Sequence, residues 1–164
     1  LLNIGRQDGV IDGAAAMDDL GLVGRMSGVG ERASRVIFLT DINSRVPVIV
    51  QPSGQRAIVA GDNSSVPLLQ FVEDPEQIQP SDRVVTSGAA GLFPAELLVG
   101  QVARGSDGRL RVRPAADYRR LEFIRVLRVR RSATIGNSEE LVGPLLPDTA
   151  QPGQETDAQP EAGN

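Results

Sequence analysis

Short apolar runs alternate with polar residues along most of this chain, with a spacing close to two residues. Such alternation, in segments rich in Val and Ile, predicts β-strands that bury one face. Turn-forming residues, above all Gly, Asp, Asn and Ser, separate the segments. The pattern predicts strands over residues 35–40, 46–50, 56–60, 66–72, 83–86, 97–103, 110–113 and 121–129. Many short strands at this spacing favour an all-β sandwich or barrel.

Helical signals are confined to two short segments. Residues 12–20 include a run rich in Ala, which favours a helix by propensity, but Gly13 and Gly21 flank that run. We therefore predict a strand and a turn there. Residues 74–78 are expected to form a single helical turn.

A weak internal repeat relates two parts of the chain at an offset of 76 residues. The matching letters are Leu22-Val23-Gly24 with Leu98-Val99-Gly100, Arg35-Val36 with Arg111-Val112, and Asp41 with Asp117. Chance similarity between short β segments explains these letters equally well. If the repeat is real, it predicts two related β units packed side by side.

The composition changes from Ser132 onward. Four prolines interrupt this region, at positions 144, 147, 152 and 160, and polar residues fill most of the rest. Such a segment buries too little apolar surface to offset the entropy lost on ordering. We predict a disordered, acidic tail over residues 132–164, with residues 141–146 as a candidate docking motif.

The residue inventory argues against most catalytic sites. The chain has no His and no Cys, and all 17 of its basic residues are Arg. A hydrolytic triad needs a side chain that accepts a proton near neutral pH, which arginine does not do. Thiolate zinc sites and phosphate loops with a lysine are excluded by the same count. We therefore expect no catalytic residue, no metal and no cofactor.

Charge is distributed unevenly along the chain. Six of the 21 acidic residues and none of the arginines lie from Glu139 onward, so the preceding body has a net charge of +2. A near-neutral body with an acidic tail is not typical of a nucleic-acid-binding protein. No apolar run approaches the roughly 18–20 residues that cross a bilayer, and no signal peptide opens the sequence.

Ten arginines lie between Arg104 and Arg131, and three of them alternate with apolar residues on one predicted strand. These are Arg109, Arg111 and Arg113, which should share one strand face. The face is either a basic interaction surface, for an acidic partner or anionic lipid, or a solvated outer face that protects an edge strand. RNA binding is a third reading, which the scarcity of stacking aromatics opposes.

The most specific stretch covers residues 82–102. It combines a strand, a glycine-rich connection and a second strand. Ser87 lacks any base to activate it, so a turn that orders two strands is the favoured reading. Phe93 is one of only five aromatic residues and is expected to anchor a local cluster. The letters are Asp82-Arg83-Val84, Thr86-Ser87-Gly88, Gly91-Leu92-Phe93-Pro94 and Val99-Gly100-Gln101-Val102.

This stretch resembles the MreC family of rod shape-determining proteins. In that family's pattern, a Gly-Asp-x-Val strand leads to Thr-Ser-Gly, Gly-x-Phe-Pro and Val-Gly-x-Val. Earlier segments match in the same order, so the resemblance spans residues 1 to about 127. Two residues depart from the pattern: Ser81 and Glu96 stand where the family usually has glycine. Both departures lie in turns.

The resemblance implies a fold of two small packed β-barrels, arranged as in chymotrypsin-like proteases but without their catalytic residues. We expect the first barrel unit over residues 1–60 and the second over 61–131, with strands free to cross between them. It also implies a periplasmic location, with an N-terminal helix, which would precede Leu1, anchoring the whole protein in the inner membrane.

The function implied is that of a non-catalytic scaffold for cell elongation. Its implied partners are a class B penicillin-binding transpeptidase, the membrane protein MreD and further copies of itself, with an indirect link to MreB filaments. We expect the partner surface to include Gly91, Leu92, Phe93 and Pro94, together with the arginines of the predicted basic face. The alternatives are a carboxylate-based peptidoglycan hydrolase and an RNA-binding β-barrel.

Overall fold

A computed structural model describes residues 1–91 and 93–127 of the chain. Within these ranges the fold is all-β, as predicted, with only three short 3₁₀ turns, at Arg6–Asp8, Pro75–Gln77 and Ala89–Gly91. The strands are β1 Ala15–Met17, β2 Leu22–Ser27, β3 Arg35–Phe38, β4 Arg45–Gln51, β5 Gln55–Ala60, β6 Leu68–Gln70, β7 Arg83–Thr86, β8 Leu98–Arg104, β9 Leu110–Pro114 and β10 Arg125–Val126. The tail expected at residues 132–164 lies outside the described residues.

Six strands close into an antiparallel barrel in the order β4-β5-β6-β9-β8-β7. Alternate residues of each strand point inward, as the period of two predicts. The interior is filled by small and branched apolar side chains, as in other small barrels. They include Val46, Val48, Val50, Val59, Val84, Val99 and Val112, each at most 1% exposed.

The remaining strands form a four-stranded antiparallel sheet in the order β10-β1-β2-β3. Two barrels were expected, whereas this part of the molecule is a sheet with β10 and β3 at its edges. β10 has only two residues and β3 four, which leaves these edge strands short. The sheet packs over a small apolar cluster of Val10, Ala14, Ala16, Met26 and Val29.

The expected boundary at residues 60 and 61 falls between β5 and β6, which are neighbours in the closed barrel. That boundary therefore does not coincide with the division between the two sheets. The barrel runs from β4 to β9, and the sheet combines the first three strands with β10. Strand crossing of this kind places β10, late in the chain, beside β1.

Sheet and barrel share one core and meet in close contact. Gly21 approaches the barrel so closely that a Cβ there would lie 2.8 Å from the Leu98 carbonyl oxygen. Tyr118 follows β9, and its hydroxyl donates a hydrogen bond to the Val23 carbonyl oxygen at 3.0 Å. The Tyr118 ring packs edge-on against Phe38, with 5.4 Å between centroids. Burial raises the pKa of the Tyr118 hydroxyl.

The internal repeat is confirmed by strand register. Gly24 pairs with Phe38 and Met26 with Val36, just as Gly100 pairs with Pro114 and Val102 with Val112. The preceding strands β1 and β7 also pair equivalently, each with a register shift at the same place. The β1–β3 meander and the β7–β9 meander are therefore two copies of one unit.

Two local predictions are confirmed, while the strands predicted over 35–40, 66–72 and 121–129 are shorter among the described residues, at Arg35–Phe38, Leu68–Gln70 and Arg125–Val126. Residues 15–17 form a strand rather than a helix, and residues 75–77 form the single helical turn expected. The strand predicted over 66–72 ends at Gln70, because Phe71 has a positive φ of 59°. Among the described residues, no helix has the length and apolar character needed to span a bilayer.

Candidate protein-binding surfaces

The glycine-rich connection between β7 and β8 is held by Thr86 at the end of β7. The Thr86 hydroxyl donates to the Pro94 carbonyl oxygen at 2.6 Å and accepts from the Leu97 N–H at 2.9 Å. The backbone of Thr86 is also hydrogen-bonded to Glu96 and Leu97. Because Thr86 is buried, these bonds are shielded from water and fix both ends of the connection.

Phe93 does not present its ring to a partner, which corrects the expectation that it is part of a contact surface. Its side chain is 3% exposed and belongs to the main apolar core, in keeping with its predicted role as a local anchor. Pro94 is half-buried and Gly91 is exposed. Leu92 lies outside the described residues. Among the residues of this connection whose burial is described, the exposed ones are Ala89, Gly91, Ala95 and Glu96.

Ser81 and Glu96, the two departures from the resembled pattern, keep the backbone geometry of glycine. Their φ values are 76° and 65°, in the left-handed region that other residues seldom adopt. Glycine reaches this region without a steric penalty. The turns are therefore preserved, and both side chains are held in strained backbone positions.

The Arg111 guanidinium is bound to other residues of the fold. The basic-face hypothesis required this side chain to be free for a partner, and the structure corrects that expectation. Its guanidinium donates to Asp62 at 2.9 Å, to Asp107 at 3.2 Å and to the Val66 carbonyl oxygen at 2.8 Å. Its side chain is only 17% exposed. Since Arg111 pairs with Leu68, these contacts stabilise the barrel where β6 meets β9.

The carboxylates around Arg111 have shifted pKa values. The pKa of Asp62 is lowered, chiefly by the hydrogen bond from the Ser64 hydroxyl and further by Arg111. The pKa of Asp107 is lowered by the Arg109 backbone N–H and then by Arg111. The pKa of Arg111 is raised by its hydrogen bonds to Asp62 and then Asp107. All three groups are therefore charged at neutral pH.

Arg113 is exposed and belongs to a row of polar side chains that crosses four adjacent strands. The row consists of Gln51, Arg83, Gln101 and Arg113, which are direct cross-strand neighbours and all exposed. Neither arginine has an ion-pair partner among the described residues. The row is bordered by Leu20, which is 57% exposed, and by Leu98.

Sequence reasoning missed Arg83 as a neighbour of Arg113. The two residues are 30 positions apart and lie on strands separated by β8, so only the register brings them together. Arg109 precedes β9, and its side chain is 70% exposed. Of the three predicted arginines, Arg111 therefore has a structural role, while Arg109 and Arg113 face the solvent.

Phe71 was also missed as a surface feature, because its place in a predicted strand implied ordinary packing. It is 76% exposed and has the left-handed backbone already noted. It stands on the barrel exterior beside the half-buried apolar residues Pro47, Ile49 and Ile58. An aromatic side chain in this position is accessible to another molecule.

The carboxylates that a hydrolase would need hold turns instead. Asp18 accepts backbone hydrogen bonds from Leu20 and Gly21, at 2.8 and 2.7 Å. Asp74 accepts from the Glu76 N–H at the start of a 3₁₀ turn, at 3.3 Å. Within residues 1–91 and 93–127, no three acidic side chains converge closely enough to hold a metal ion. These carboxylates serve the local turn geometry that was predicted for them.

Comparison with known sequences identifies a family match over most of the chain. Residues 1–128 match a family model described as "Rod shape-determining protein MreC, barrel core". The chain is 62% identical over 142 residues to the cell shape-determining protein MreC of Cereibacter sphaeroides, covering 87% of this chain and 47% of that protein. It is 39% identical over 147 residues to the Caulobacter vibrioides protein of the same name, covering 90% and 42%. The chain thus spans less than half the length of these relatives.

Solved structures give the same similarity. The crystal structure of MreC from Pseudomonas aeruginosa matches with a TM-score of 0.68 and 31% identity, over 76% of this chain and 85% of that one. The major periplasmic domain of a protein described as the cell shape-determining filament MreC matches with a TM-score of 0.63 and 26% identity, over 73% and 80%.

Proposed function

The chain belongs to the MreC family of rod shape-determining proteins, and from that premise we propose that it is a non-catalytic scaffold of the cell-elongation machinery. Its cell-shape role follows from the family. In this proposal it acts by binding and regulating peptidoglycan synthases and by associating with further copies of itself. It carries out no chemistry.

The observation that best supports this proposal is the filled interior of the closed barrel. Core residues such as Val48, Val84 and Val112 occupy the space that a substrate cavity would need. The carboxylates of Asp18 and Asp74 are engaged in turns, and the sequence has no His, Lys or Cys. What remains available to another molecule is the exterior, with its arginines and apolar side chains.

The proposed partners are a class B penicillin-binding transpeptidase and the membrane protein MreD, with an indirect link to MreB filaments. Binding regulates a partner when the scaffold contacts two of its conformations with different affinity. Of the residues expected to contact a partner, Gly91, Arg109 and Arg113 are exposed, and Pro94 is half-buried. These four remain in the proposed contact surface.

The proposed location is the periplasm, with the whole protein held at the inner membrane by a helix N-terminal to residue 1. The relatives from Cereibacter sphaeroides and Caulobacter vibrioides are more than twice as long as the segment matched here, which supports further regions in this family. Self-association is supported by the solved relative that is described as a filament.

A binding and turnover experiment tests the proposal. The purified chain is immobilised, and the periplasmic part of the transpeptidase is passed over it at several concentrations. We expect saturable binding, and no release of fragments when the chain is incubated with purified peptidoglycan. Absence of binding would remove this partner from the proposal. Fragment release that is lost in Asp41→Asn or Asp82→Asn would replace the scaffold with a hydrolase.

Sedimentation velocity tests self-association separately. If the described strands associate, the mean sedimentation coefficient should increase over a hundredfold range of concentration. A constant monomer value would assign self-association to regions outside this chain.

A further inference from the structure

Phe71 combines backbone strain with exposure to water. Its φ of 59° lies in the left-handed region, which bulky side chains rarely occupy, and its side chain is 76% exposed. An exposed ring gains little packing energy to offset that strain. Residues held in such conformations concentrate at binding and functional sites, which makes the outlier a reason to look for a ligand.

Two grooves on the barrel exterior meet at Phe71. The first is bounded by β4, β5 and the connection that starts at Ser87, and contains both Arg56 and Glu73. The second lies between the end of β6 and the β8–β9 hairpin, where the pairing of β6 with β9 is limited to Leu68 and Arg111. The second groove therefore opens where the barrel wall is least continuous.

The second groove has a positive charge that is weakly compensated. Arg104 and Arg109 line it, and no carboxylate does so among the described residues. Arg104 donates a long hydrogen bond of 3.4 Å to the Gly108 carbonyl oxygen. It has no ion-pair partner among the described residues. Arg109 is 4.0 Å from Asp107, whose closer partner is Arg111 at 3.2 Å. Neither guanidinium group has a described carboxylate closer than 4.0 Å, so both can meet an incoming carboxylate.

We propose that Phe71 anchors a docking site for an acidic segment of a partner protein, with an apolar side chain of that segment against the ring and its carboxylates facing Arg104 and Arg109. Exposed aromatic and arginine side chains are the residues most often found at the energetic centre of protein interfaces. This inference rests on the proposed scaffold function and assigns it a surface and a partner chemistry.

The shape of the site favours a protein segment over a membrane surface. The groove is open to solvent and has a volume of about 570 Å³, enough for several side chains. A membrane-binding surface buries several apolar side chains of an amphipathic face in the lipid, whereas Phe71 is the one large apolar side chain among the residues lining this groove that is mostly exposed. A groove lined by charges of one sign favours partner segments of the opposite charge.

Site-specific photocrosslinking in the full-length protein tests this inference. Phe71 is replaced by p-benzoylphenylalanine, and Phe123, which is 78% exposed and outside the groove, receives the same replacement as a control. We expect a protein adduct from position 71 at a yield roughly tenfold above that from position 123. Mass spectrometry should map the adduct to an acidic segment of the partner.

Charge reversal tests the partner chemistry. Arg104→Glu combined with Arg109→Glu should reduce the adduct about tenfold, because like charges then face the acidic segment. Arg56→Glu, in the neighbouring groove, should leave the yield unchanged. Absence of a protein adduct at position 71, an adduct with lipid alone, or a yield that survives the double reversal would each overturn the inference.

The identity of the adduct separates this inference from the proposed function. An adduct with the transpeptidase supports both the docking site at Phe71 and the proposed scaffold function. An acidic segment of a different protein supports the docking site and removes the transpeptidase from the proposed function. Binding of the transpeptidase with no adduct at position 71 leaves the scaffold function standing and overturns the docking site.

A stability measurement tests whether Phe71 has a structural role instead. Phe71→Gly relieves the backbone strain and removes little buried surface, so the thermal midpoint should rise by roughly 2–4 °C. A clear decrease would show that the ring is needed for packing, and would overturn its assignment as an anchor for a partner.

Discussion

The β1–β3 meander of the sheet and the β7–β9 meander of the barrel share their register but differ in their surroundings. In both copies the central strand carries a glycine, Gly24 or Gly100, packed against the carbonyl group of the following strand. In both, a backbone bond of equivalent position closes the meander, from Leu39 to Val23 or from Ala115 to Val99. The barrel copy is continued by three further strands, whereas β10 alone extends the sheet copy.

The copies also share the hydrogen bond that closes their first connection. In the sheet copy the Gly21 N–H donates to the Asp18 carboxylate at 2.7 Å, and in the barrel copy the Leu97 N–H donates to the Thr86 hydroxyl at 2.9 Å. The sheet connection covers residues 18–21, while the barrel connection covers 86–97 and includes the buried Phe93. The longer connection inserts an aromatic anchor without disturbing the register.

The two meanders share the features that their backbone geometry demands and differ in the side chains on their outer faces. Both copies have a close backbone approach at the glycine of the central strand, Gly24 or Gly100. Both also have a positive φ at an equivalent position, 13 or 81. Side chains on the outer faces do not recur in role: Arg35 is exposed, while its counterpart Arg111 is held by two carboxylates. Equivalent backbone positions therefore carry outer-face side chains with different contacts.

The largest effect is expected where the two copies agree most. Gly100→Ala places a methyl group against the Arg113 carbonyl oxygen and should cost about 3 kcal/mol of unfolding free energy. Gly24→Ala creates the same clash with Ile37 and should cost less, because the edge strand β3 moves more freely than a closed barrel. Urea unfolding measures both. Equal losses, or a loss below that of Gly13→Ala, would contradict this difference between the copies.

Thr86→Val tests the hydrogen bond that closes the longer connection. The change keeps the shape of the side chain but leaves the partly buried Leu97 N–H and the Pro94 carbonyl oxygen without this partner, which should cost about 2 kcal/mol. Asp18→Ala removes the equivalent bond in the more exposed sheet connection, together with those from the Leu20 and Asp117 N–H groups, and should cost about 1 kcal/mol. Urea unfolding ranks the two variants. A Thr86→Val loss as small as that of Ser87→Ala would show that the connection is held by other contacts.

Arg111 and Arg35 occupy equivalent positions and should differ in their contribution to stability. Arg111→Met removes hydrogen bonds to two carboxylates and should cost about 1.5 kcal/mol, whereas Arg35→Met should change the unfolding free energy by less than about 0.5 kcal/mol. Chemical unfolding at pH 7 measures both. Similar values for the two variants would mean that the Arg111 contacts add nothing to the barrel.

The pH dependence of the Arg111 effect follows from the lowered pKa values of Asp62 and Asp107. A carboxylate with a lowered folded-state pKa contributes stability above its unfolded pKa, about 3.8, and loses it as the pH falls through the folded value. The difference between wild type and Arg111→Met should therefore be full above about pH 5 and decrease below about pH 4. A difference that stays constant down to pH 3 would contradict the assigned charge interactions.

Local patterns in the sequence located most of the strands, although β2 was absent from the predicted list and β10 is much shorter than predicted. The alternation at Val46, Val48 and Val50 predicted inward-facing positions. The letters around Gly24 and Gly100 indicated a repeat that chance explained equally well, and only the strand register confirms it. Closure of the barrel was not predictable at that level. It depends on the pairing of β6 with β9, which is a single bridge between Leu68 and Arg111 that no periodicity encodes.

Contact surfaces were less predictable than strands because exposure depends on the tertiary fold. Phe93 and Phe71 are both aromatic residues near turns, yet the first is buried in the core and the second is mostly exposed. Alternation placed Arg111 and Arg113 on one face correctly, but it carried no information on Asp62, which is 49 positions away and pairs with Arg111. Long-range partners of this kind decide whether a surface residue is free to bind.

The smallest effect is expected where the copies differ in residue type but not in backbone conformation. Gly13 and Ser81 occupy equivalent positions with φ values of 83° and 76°. Ser81→Gly should raise the unfolding free energy by about 0.5–1 kcal/mol, and Gly13→Ser should lower it by a similar amount, because only glycine adopts this conformation without strain. Glu96→Gly, with φ of 65°, should stabilise in the same way as Ser81→Gly. Urea unfolding of all three variants checks the signs. A destabilising Ser81→Gly would mean that the serine side chain compensates for its strained backbone, and would separate the two copies at a position where their backbone conformations agree.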